Sequence, residues 1–495
     1  MVSNDRRNIL LASGTALVAG LSGSGARAQA AGGGQAAAPT LSAAPKGPAA
    51  VPVTHILARY AATAPIDQIP AAVRKEATRT LLNWVGCAVG GSRQDAPSHA
   101  VAALKPFSGP AQASLFGRSE RLDALQAALV NGISSHVLDY DDTHLKTIIH
   151  PAGPVASALT AFAEYHPVSG AEFMNALVLG CEIECRMGNS VYPEHYAMGW
   201  HITGTTGMFG AAAAIGRLLK LDEQHMTWAL GNAASQPTGL KVQFGSDTKS
   251  FHPGKAAQNG MLAALLAQQG YTSSEVAIEG FDGWGQAMST RHNWDEVTQG
   301  LGQRYETALN TYKPFACGIV AHPAIDAAIQ IRDANGLKPE QIQSVDLKVH
   351  PLVLNLMGKT EPRIGLEGKF SVFHAVAVAL VTGRGGEQAF TDSAVTNATV
   401  VAVRKKVVAV VDPAIKADQV DMTVTLTDGR KLHIFIEHAV GSQDHPMSDG
   451  QLEDKFSGLT ENILSAERSR RLMDLCWKVW DLDDAGAITR AGAAA

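Results

Sequence analysis

Apolar positions recur at helical spacing through the first half of the chain. Val73, Ala77, Leu81, Leu82, Val85 and Ala88 fall three or four apart, with Arg74, Lys75, Glu76 and Arg79 between them, which predicts an amphipathic helix. Further helices are predicted over 122–135, 155–165, 170–186 and 211–219. Several are Ala-rich and apolar nearly all round, so they belong inside a bundle rather than on its surface. The pattern changes after about residue 311. Val345, Leu347 and Val349 alternate with polar residues, as do Met422, Val424 and Leu426, which lead through Asp428-Gly429 into Leu432, Ile434 and Ile436. Such alternation predicts half-buried strands, and Asp-Gly between two of them predicts a hairpin. Helical stretches are expected near 322–335, 371–383 and 396–406, and helix periodicity returns from Leu452 to Val479. The fold class expected is mainly α: a helical domain over 52–310, a smaller α+β lid domain over 311–440, and a C-terminal return to the helical domain over 441–485.

The first fifty residues follow different rules. Arg6-Arg7, a weakly apolar Gly/Ala-rich run to Leu21 and Ala26-Arg27-Ala28 occur in the order of a twin-arginine export signal, so 1–28 is expected to be a leader and the mature protein periplasmic. Residues 29–51 are Ala, Gly and Pro with almost no large apolar side chain, and are expected to be a disordered spacer. No later segment offers about 18 uninterrupted apolar residues, so no membrane span is expected in the mature form. A net charge of −5 gives no electrostatic reason to expect nucleic acid. The five cysteines, Cys87, Cys181, Cys185, Cys317 and Cys476, have neither the count nor the spacing of a disulfide framework, a structural zinc site or an iron–sulfur site.

Candidate chemistry gathers in four polar patches. The densest is Ser135-His136-Val137-Leu138-Asp139-Tyr140-Asp141-Asp142-Thr143-His144, followed by His150-Pro151. Buried carboxylates need partners, and neighbouring like charges raise each other's pKa, so a run of this kind between apolar helices points to acid–base work. Helix capping by some of the aspartates is the plainer reading. A metal site is the other alternative, but no ligand spacing of a known type occurs. Gly199-Trp200-His201-Ile202-Thr203-Gly204-Thr205-Thr206-Gly207 reads as a loop before an Ala-rich helix. Ser246-Asp247-Thr248-Lys249-Ser250-Phe251-His252-Pro253-Gly254 places a lysine where it can hold a carboxylate, or simply lie in solvent. Lys313-Pro314-Phe315, then His322-Pro323, mark the change of domain. No phosphate loop, dinucleotide fingerprint or serine-nucleophile elbow is present, which leaves acid–base chemistry by side chains.

Taken together the patches resemble the MmgE/PrpD family, which includes 2-methylcitrate dehydratase, cis-aconitate decarboxylase and iminodisuccinate epimerase. The resemblance rests on Leu138-Asp139-Tyr140-Asp141-Asp142-Thr143-His144, Gly199-Trp200-His201, Lys249-Ser250-Phe251-His252-Pro253-Gly254, Lys313-Pro314-Phe315 and Gly368-Lys369-Phe370-Ser371. It extends from Leu81-Leu82-Asn83-Trp84 to Lys455-Phe456. It implies a helical domain with an α+β lid, a homodimer, a site in the cleft between domains, and no cofactor or metal. Carried over by position, it implies Asp139, Thr143, His150, His201, Lys249 and His322 as catalytic residues acting on a small carboxylic acid. Where the decarboxylase branch carries a lid tyrosine, this chain reads Leu354-Asn355-Leu356-Met357-Gly358, so dehydration of a 2-methylcitrate-like acid is expected ahead of decarboxylation or epimerisation. A carboxylate-binding protein without catalysis would keep the carboxylate-holding groups but has no use for the proton-transfer residues.

Overall fold

The computed structural model describes residues 51–65 and 68–494. The expected leader at 1–28 and all but the last residue of the expected spacer lie outside the described residues. The predicted helices form, most with extended ends: Ala71–Gly91, Ala124–His136, Ala152–Tyr165, Gly170–Val191 and Ile202–Leu218; Glu223–Ala234 and Thr248–Gln268 join them in the bundle. Ile202–Leu218 runs through the middle, with every residue buried except the half-buried Arg217. Among the described residues, no helix is long and apolar enough to cross a membrane.

Close backbone approach explains the small residues of this bundle. A Cβ on Gly180 would lie 2.8 Å from the carbonyl oxygen of Gly210, and one on Gly132 would lie 2.4 Å from the Cα of Gly254. The second pair presses Ala124–His136 against Thr248–Gln268, which carry His136 and Lys249. Packing at this distance leaves no room for a methyl group without backbone movement.

The Gly/Thr run after His201 is not a loop, because the helix starts at Ile202 rather than near Ala211. Thr206 satisfies its hydroxyl on the Ile202 carbonyl at 2.7 Å. Gly204 and Gly207 are required by neighbours, since Cβ atoms there would meet the Thr238 oxygen at 2.1 Å and Pro154 Cγ at 2.3 Å. Glycine here serves helix contact, not a turn. The stretch near 396–406 likewise resolves into Asp392–Thr396 and Ala398–Arg404, because Asn397 caps the second helix. The stretch from Leu452 to Val479 divides into Asp449–Thr460 and Ala466–Trp477, with Ser465 capping the second.

Four strands make one sheet: β1 (Ile342–Val349), β2 (Val407–Val411), β3 (Val420–Leu426) and β4 (Lys431–Ile436). Their order is β2-β1-β3-β4. β1 and β2 are parallel with Val345 opposite Val407, and the other pairs are antiparallel. β3 and β4 form the hairpin expected at Asp428-Gly429, with Gly429 at φ +88°. Val345, Leu347, Met422 and Val424 pack into one apolar cluster with Ile325 and Ile331 of helix His322–Asn335 and Val376 of helix Val372–Thr382. The bundle builds a separate cluster, which also takes in Leu452, Phe456, Leu472 and Cys476 from near the C-terminus. The fold is mainly α with a smaller α+β part. Leu138 and Tyr140 belong to the α+β cluster although the preceding helix belongs to the bundle, so residues 138–140 lie where the two cores meet.

Candidate active site

Helix Ala124–His136 ends into a segment held by lysines from three other parts of the chain. Lys369 donates to the carbonyl of Leu138, Lys313 to that of Asp139 at 3.0 Å, and Lys455 to that of Tyr140 at 2.6 Å. All three ammonium groups are on buried residues. Lys369 also pairs with Glu387 and bonds the Ala316 carbonyl. Lys455 bonds Asn83 and the Lys313 carbonyl, and burial lowers its pKa to about 8. Asp139, in the middle, has φ +50°, a left-handed conformation that Asp adopts more readily than most side chains. The clamped carbonyls fix it there.

The result is an ion triad. Oδ1 of Asp139 accepts from Lys249 Nζ at 2.8 Å and from Lys313 Nζ at 2.7 Å. Burial alone would push this carboxyl up, but the two ammonium groups outweigh it and hold it well below the usual carboxylate range. Burial pulls Lys249 down, against the attraction of Asp139, whereas for Lys313 the carboxylates win and its pKa is raised. The rings of Phe244 and Phe370 stand 5.4 and 5.5 Å from Lys249 Nζ. Asp139 is the one hydrogen-bond partner of this ammonium among the described residues, leaving donors for an anion.

Three imidazoles pack together beside the triad. The ring centres of His136, His150 and His201 lie 4.7 to 6.2 Å apart. His150 Nδ1 is 2.7 Å from the carbonyl of Asp142, an atom that can only accept, so Nδ1 carries the hydrogen and Nε2 keeps a lone pair. Thr203 holds the same residue by accepting from its backbone N–H at 3.1 Å. Burial pushes His150 down to about 3, so it is neutral at neutral pH. His136 donates Nδ1–H to Asp141 at 2.7 Å, and its buried Nε2 has no partner among the described residues. His201 precedes the central helix, and its Nδ1 lies 2.8 Å from Nδ1 of His252. Burial and the surrounding cationic groups hold His201 well below the ordinary histidine range.

The remaining acids divide by partner. Burial raises Asp141, but His136 and His150 more than reverse this, and it ends below the ordinary range. Asp142 accepts from Asn310 at 2.8 Å and from the Ala152 N–H at 3.1 Å, the capping role that the plainer reading of this run allowed. Burial and the charge of Asp141 push it up to about 7. Thr143 is buried with Oγ1 at 3.4 Å from His150 Nδ1, and its carbonyl accepts from Thr311 at 2.6 Å. His144 points away, bonded to Thr147 and Glu306.

Of the six predicted residues, the structure connects five. Asp139 and Lys249 bond directly, Thr143 adjoins His150, and His201 stacks beside His136 and His150. His322 feels the charges of Lys313 and Asp139 but bonds elsewhere. Its Nε2 meets the carbonyl of Cys317 at 3.3 Å, its buried Nδ1 has no partner among the described residues, and none of its hydrogen bonds reaches the other five. It lines a cavity of about 270 Å³ with Leu145, Tyr192, Leu352, Asp418 and Ser442.

Two groupings could be asked to hold a cation near the site. His136, His150 and His201 each offer an atom within 4.8 Å of the others, as do Asp139, Asp141 and His150. Imidazole nitrogen suits a borderline divalent ion. Against it, Asp139 already carries two ammonium groups that would repel a dication. All five cysteines are buried free thiols.

Sequence reasoning missed Lys313, Lys369, Lys455, His136 and His252 as site builders. Lys313, Lys369 and Lys455 each precede a Phe or Pro-Phe in motifs already noted, but their target is a backbone carbonyl far away in the chain. No spacing rule reports such a contact.

Comparison with known proteins agrees with this architecture. Residues 55–297 match the MmgE/PrpD N-terminal domain and residues 315–479 the MmgE/PrpD C-terminal domain. Cis-aconitate decarboxylase of Aspergillus terreus is 26% identical over 86% of this chain and 92% of its own length. The human cis-aconitate decarboxylase is 25% identical over 84% and 89%. A 2-methylcitrate dehydratase of Cupriavidus necator is 23% identical over 74% and 81%. The chain belongs to the MmgE/PrpD family.

Proposed function

We propose that this protein is a lyase that withdraws a proton beside a carboxylate of a small di- or tricarboxylic acid, and that the reaction is dehydration of a 2-methylcitrate-like substrate. The observation that carries the reading is His150: a neutral imidazole with its Nδ1–H fixed on the Asp142 carbonyl and its Nε2 lone pair free, beside two lysines. Such a group is a base, which dehydration needs in its first step. An anionic substrate placed next to it raises its proton affinity toward the working range. Lys249 has unused donors with which to hold a carboxylate and stabilise the enolate that develops. Lys313 keeps Asp139 ionised, and Asp139 holds Lys249 in place. Phe244 and Phe370 shield the ammonium from water, which strengthens its field.

Decarboxylation is the second reading, favoured by the higher identity to the decarboxylases, 25–26% against 23%. That reaction first loses carbon dioxide and then needs an acid to deliver a proton, a task for which a neutral His150 is poorly suited. Incubating the protein with 2-methylcitrate and with cis-aconitate, followed by proton NMR and carbon dioxide release, separates the two. Water loss from 2-methylcitrate is expected. Carbon dioxide from cis-aconitate with no water loss from 2-methylcitrate would reverse the assignment. The reading includes a homodimer and export through the Arg6-Arg7 leader, which sedimentation and periplasmic fractionation test.

A further inference from the structure

The proposed chemistry leaves Asp141 unused, although it is a wholly buried carboxylate with no lysine or arginine paired to it among the described residues. Such a charge is costly to bury unless something nearby answers it. What stands against it is two imidazoles. Oδ2 accepts from His136 Nδ1 at 2.7 Å, and Oδ1 lies 3.6 Å from His150 Nδ1. The second distance is beyond a hydrogen bond, and Oδ1 has no bonding partner among the described residues. Asp139, by contrast, already has its charge answered by Lys249 and Lys313.

The two rings are held differently. An ionised carboxylate can only accept, so His136 carries its hydrogen on Nδ1, and its Nε2 is sealed from solvent with no partner among the described residues. Sealed in this way, His136 serves as the anchor of the carboxylate. His150 gives its Nδ1–H to the Asp142 carbonyl at 2.7 Å, with Thr143 Oγ1 at 3.4 Å, and keeps an exposure of 5%. Burial, Lys313, Lys249 and the ring of His136 all oppose a proton on His150, and the strongest charge favouring one is Asp141. Asp141 itself feels His136, His150, Lys313, Lys249 and Lys455, with Asp142 as a like charge beside it. The two rings and Lys313 keep it ionised despite its burial.

We infer that Asp141 is a positioning residue: anchored by His136, it holds an ionised oxygen beside His150 Nδ1 so that His150 can take a proton on Nε2. The role toward His150 rests on the lyase reading; the Asp141–His136 pair does not. As the proton leaves the substrate carbon for Nε2, the electron pair of the C–H bond stays behind as the enolate, and His150 becomes a cation. The carboxylate at 3.6 Å then faces a counterion where it faced a neutral ring, a stabilisation that exists only as the proton is transferred. Asp139 and Asp141 thereby divide the work. One fixes the lysine that holds the substrate, and the other stabilises the base once it is charged.

Ring NMR of protein carrying nitrogen-15 histidine tests the pair with no substrate present, the His136 signals being identified with His136→Gln. His136 is expected to carry its hydrogen on Nδ1 and not on Nε2, with that proton far downfield. Asp141→Asn is expected to bring it back toward the ordinary range in a protein that still unfolds cooperatively. Hydrogen on Nε2 of His136 in the wild type, or a downfield proton unmoved in Asp141→Asn, overturns the proposal. Turnover of 2-methylcitrate tests the role toward His150. Asp141→Asn keeps the shape and an accepting oxygen but loses the charge, so kcat is expected to fall about 10²-fold or more with KM within about threefold. The acidic limb of kcat against pH is expected to move to lower pH, because the charge that favours a protonated His150 is gone. Asp141→Glu, which restores the charge, is expected to recover part of the turnover. Unchanged kcat, equal loss in both variants, or an acidic limb that does not move overturns that role. If the wild type does not turn over 2-methylcitrate at all, the lyase reading fails and the histidine spectra still decide the pair.

Discussion

Arg186 and Lys249 are both buried cations facing carboxylates, and their surroundings could hardly differ more. Arg186 Nε pairs with Glu182 at 2.5 Å, Nη1 reaches the carbonyls of Val297 and Gln299, and Nη2 those of Gly300 and Arg304. Glu182 in turn accepts from the Glu306 N–H at 2.6 Å. Every nitrogen is engaged, and the network pins the 296–306 segment to helix Gly170–Val191. Lys249 has a single hydrogen-bond partner among the described residues, and around it Asp141 Oδ1, Asp142 Oδ1 and His136 Nε2 lack any. Burial of charge is common to both. Unspent donors distinguish Lys249 from Arg186, because an enzyme's cation must leave room for its substrate's polar atoms.

Replacing the cation on each side separates the two networks most sharply. Lys249→Met is expected to lower kcat/KM by about 10³-fold, the scale of losing a main electrostatic stabiliser, while leaving the midpoint of urea unfolding nearly unchanged, because Lys313 still neutralises Asp139. Arg186→Met should do the reverse. Leaving Glu182 buried without its partner costs about 3–5 kcal/mol of stability, while kcat per folded molecule stays as in the wild type. A Lys249 variant that unfolds, or an Arg186 variant that folds normally but is inactive, would erase the distinction.

The helices and the hairpin were readable because periodicity and turn chemistry are local. Asp139, His150, His201 and Lys249 were readable because polar residues are conspicuous in apolar stretches. The lysine clamp was not, since Lys369 and Lys455 act on carbonyls of Leu138 and Tyr140, and a backbone acceptor carries no mark in the sequence. The start of the central helix was misread for a related reason. Gly204 and Gly207 look like loop residues until Thr238 and Pro154 are seen pressing on them. His322 was conspicuous for the same reason, although its one hydrogen bond stays within its own loop.

A smaller effect probes the acids within the site. Burial and Asp141 raise Asp142 to about 7 in the folded protein, against about 4 when unfolded. A raised carboxyl lends stability while protonated: the contribution is complete below about pH 4 and is lost as pH rises through about 7. Asp142→Asn, a neutral isostere, should remove that loss. Unfolding free energies from urea titrations between pH 4 and 8 should then fall less steeply in the variant, by up to about 1.4 kcal/mol per pH unit. Identical slopes would mean that Asp142 is ionised throughout. The smallest effect expected is from chelation: prolonged dialysis against EDTA should leave turnover within error of the untreated protein. Loss restored by a single added metal would move His136, His150 and His201 from proton transfer to coordination.

In the proposed reaction His150 is the base that takes a proton from carbon. Following 2-methylcitrate in deuterated water by proton NMR, with wild type and His150→Asn side by side, tests it directly. The wild type is expected to eliminate water and to wash deuterium into the carbon beside the carboxylate. The variant should do neither, while still binding the acid in an isothermal titration. Deuterium incorporation by His150→Asn at the wild-type rate would contradict it.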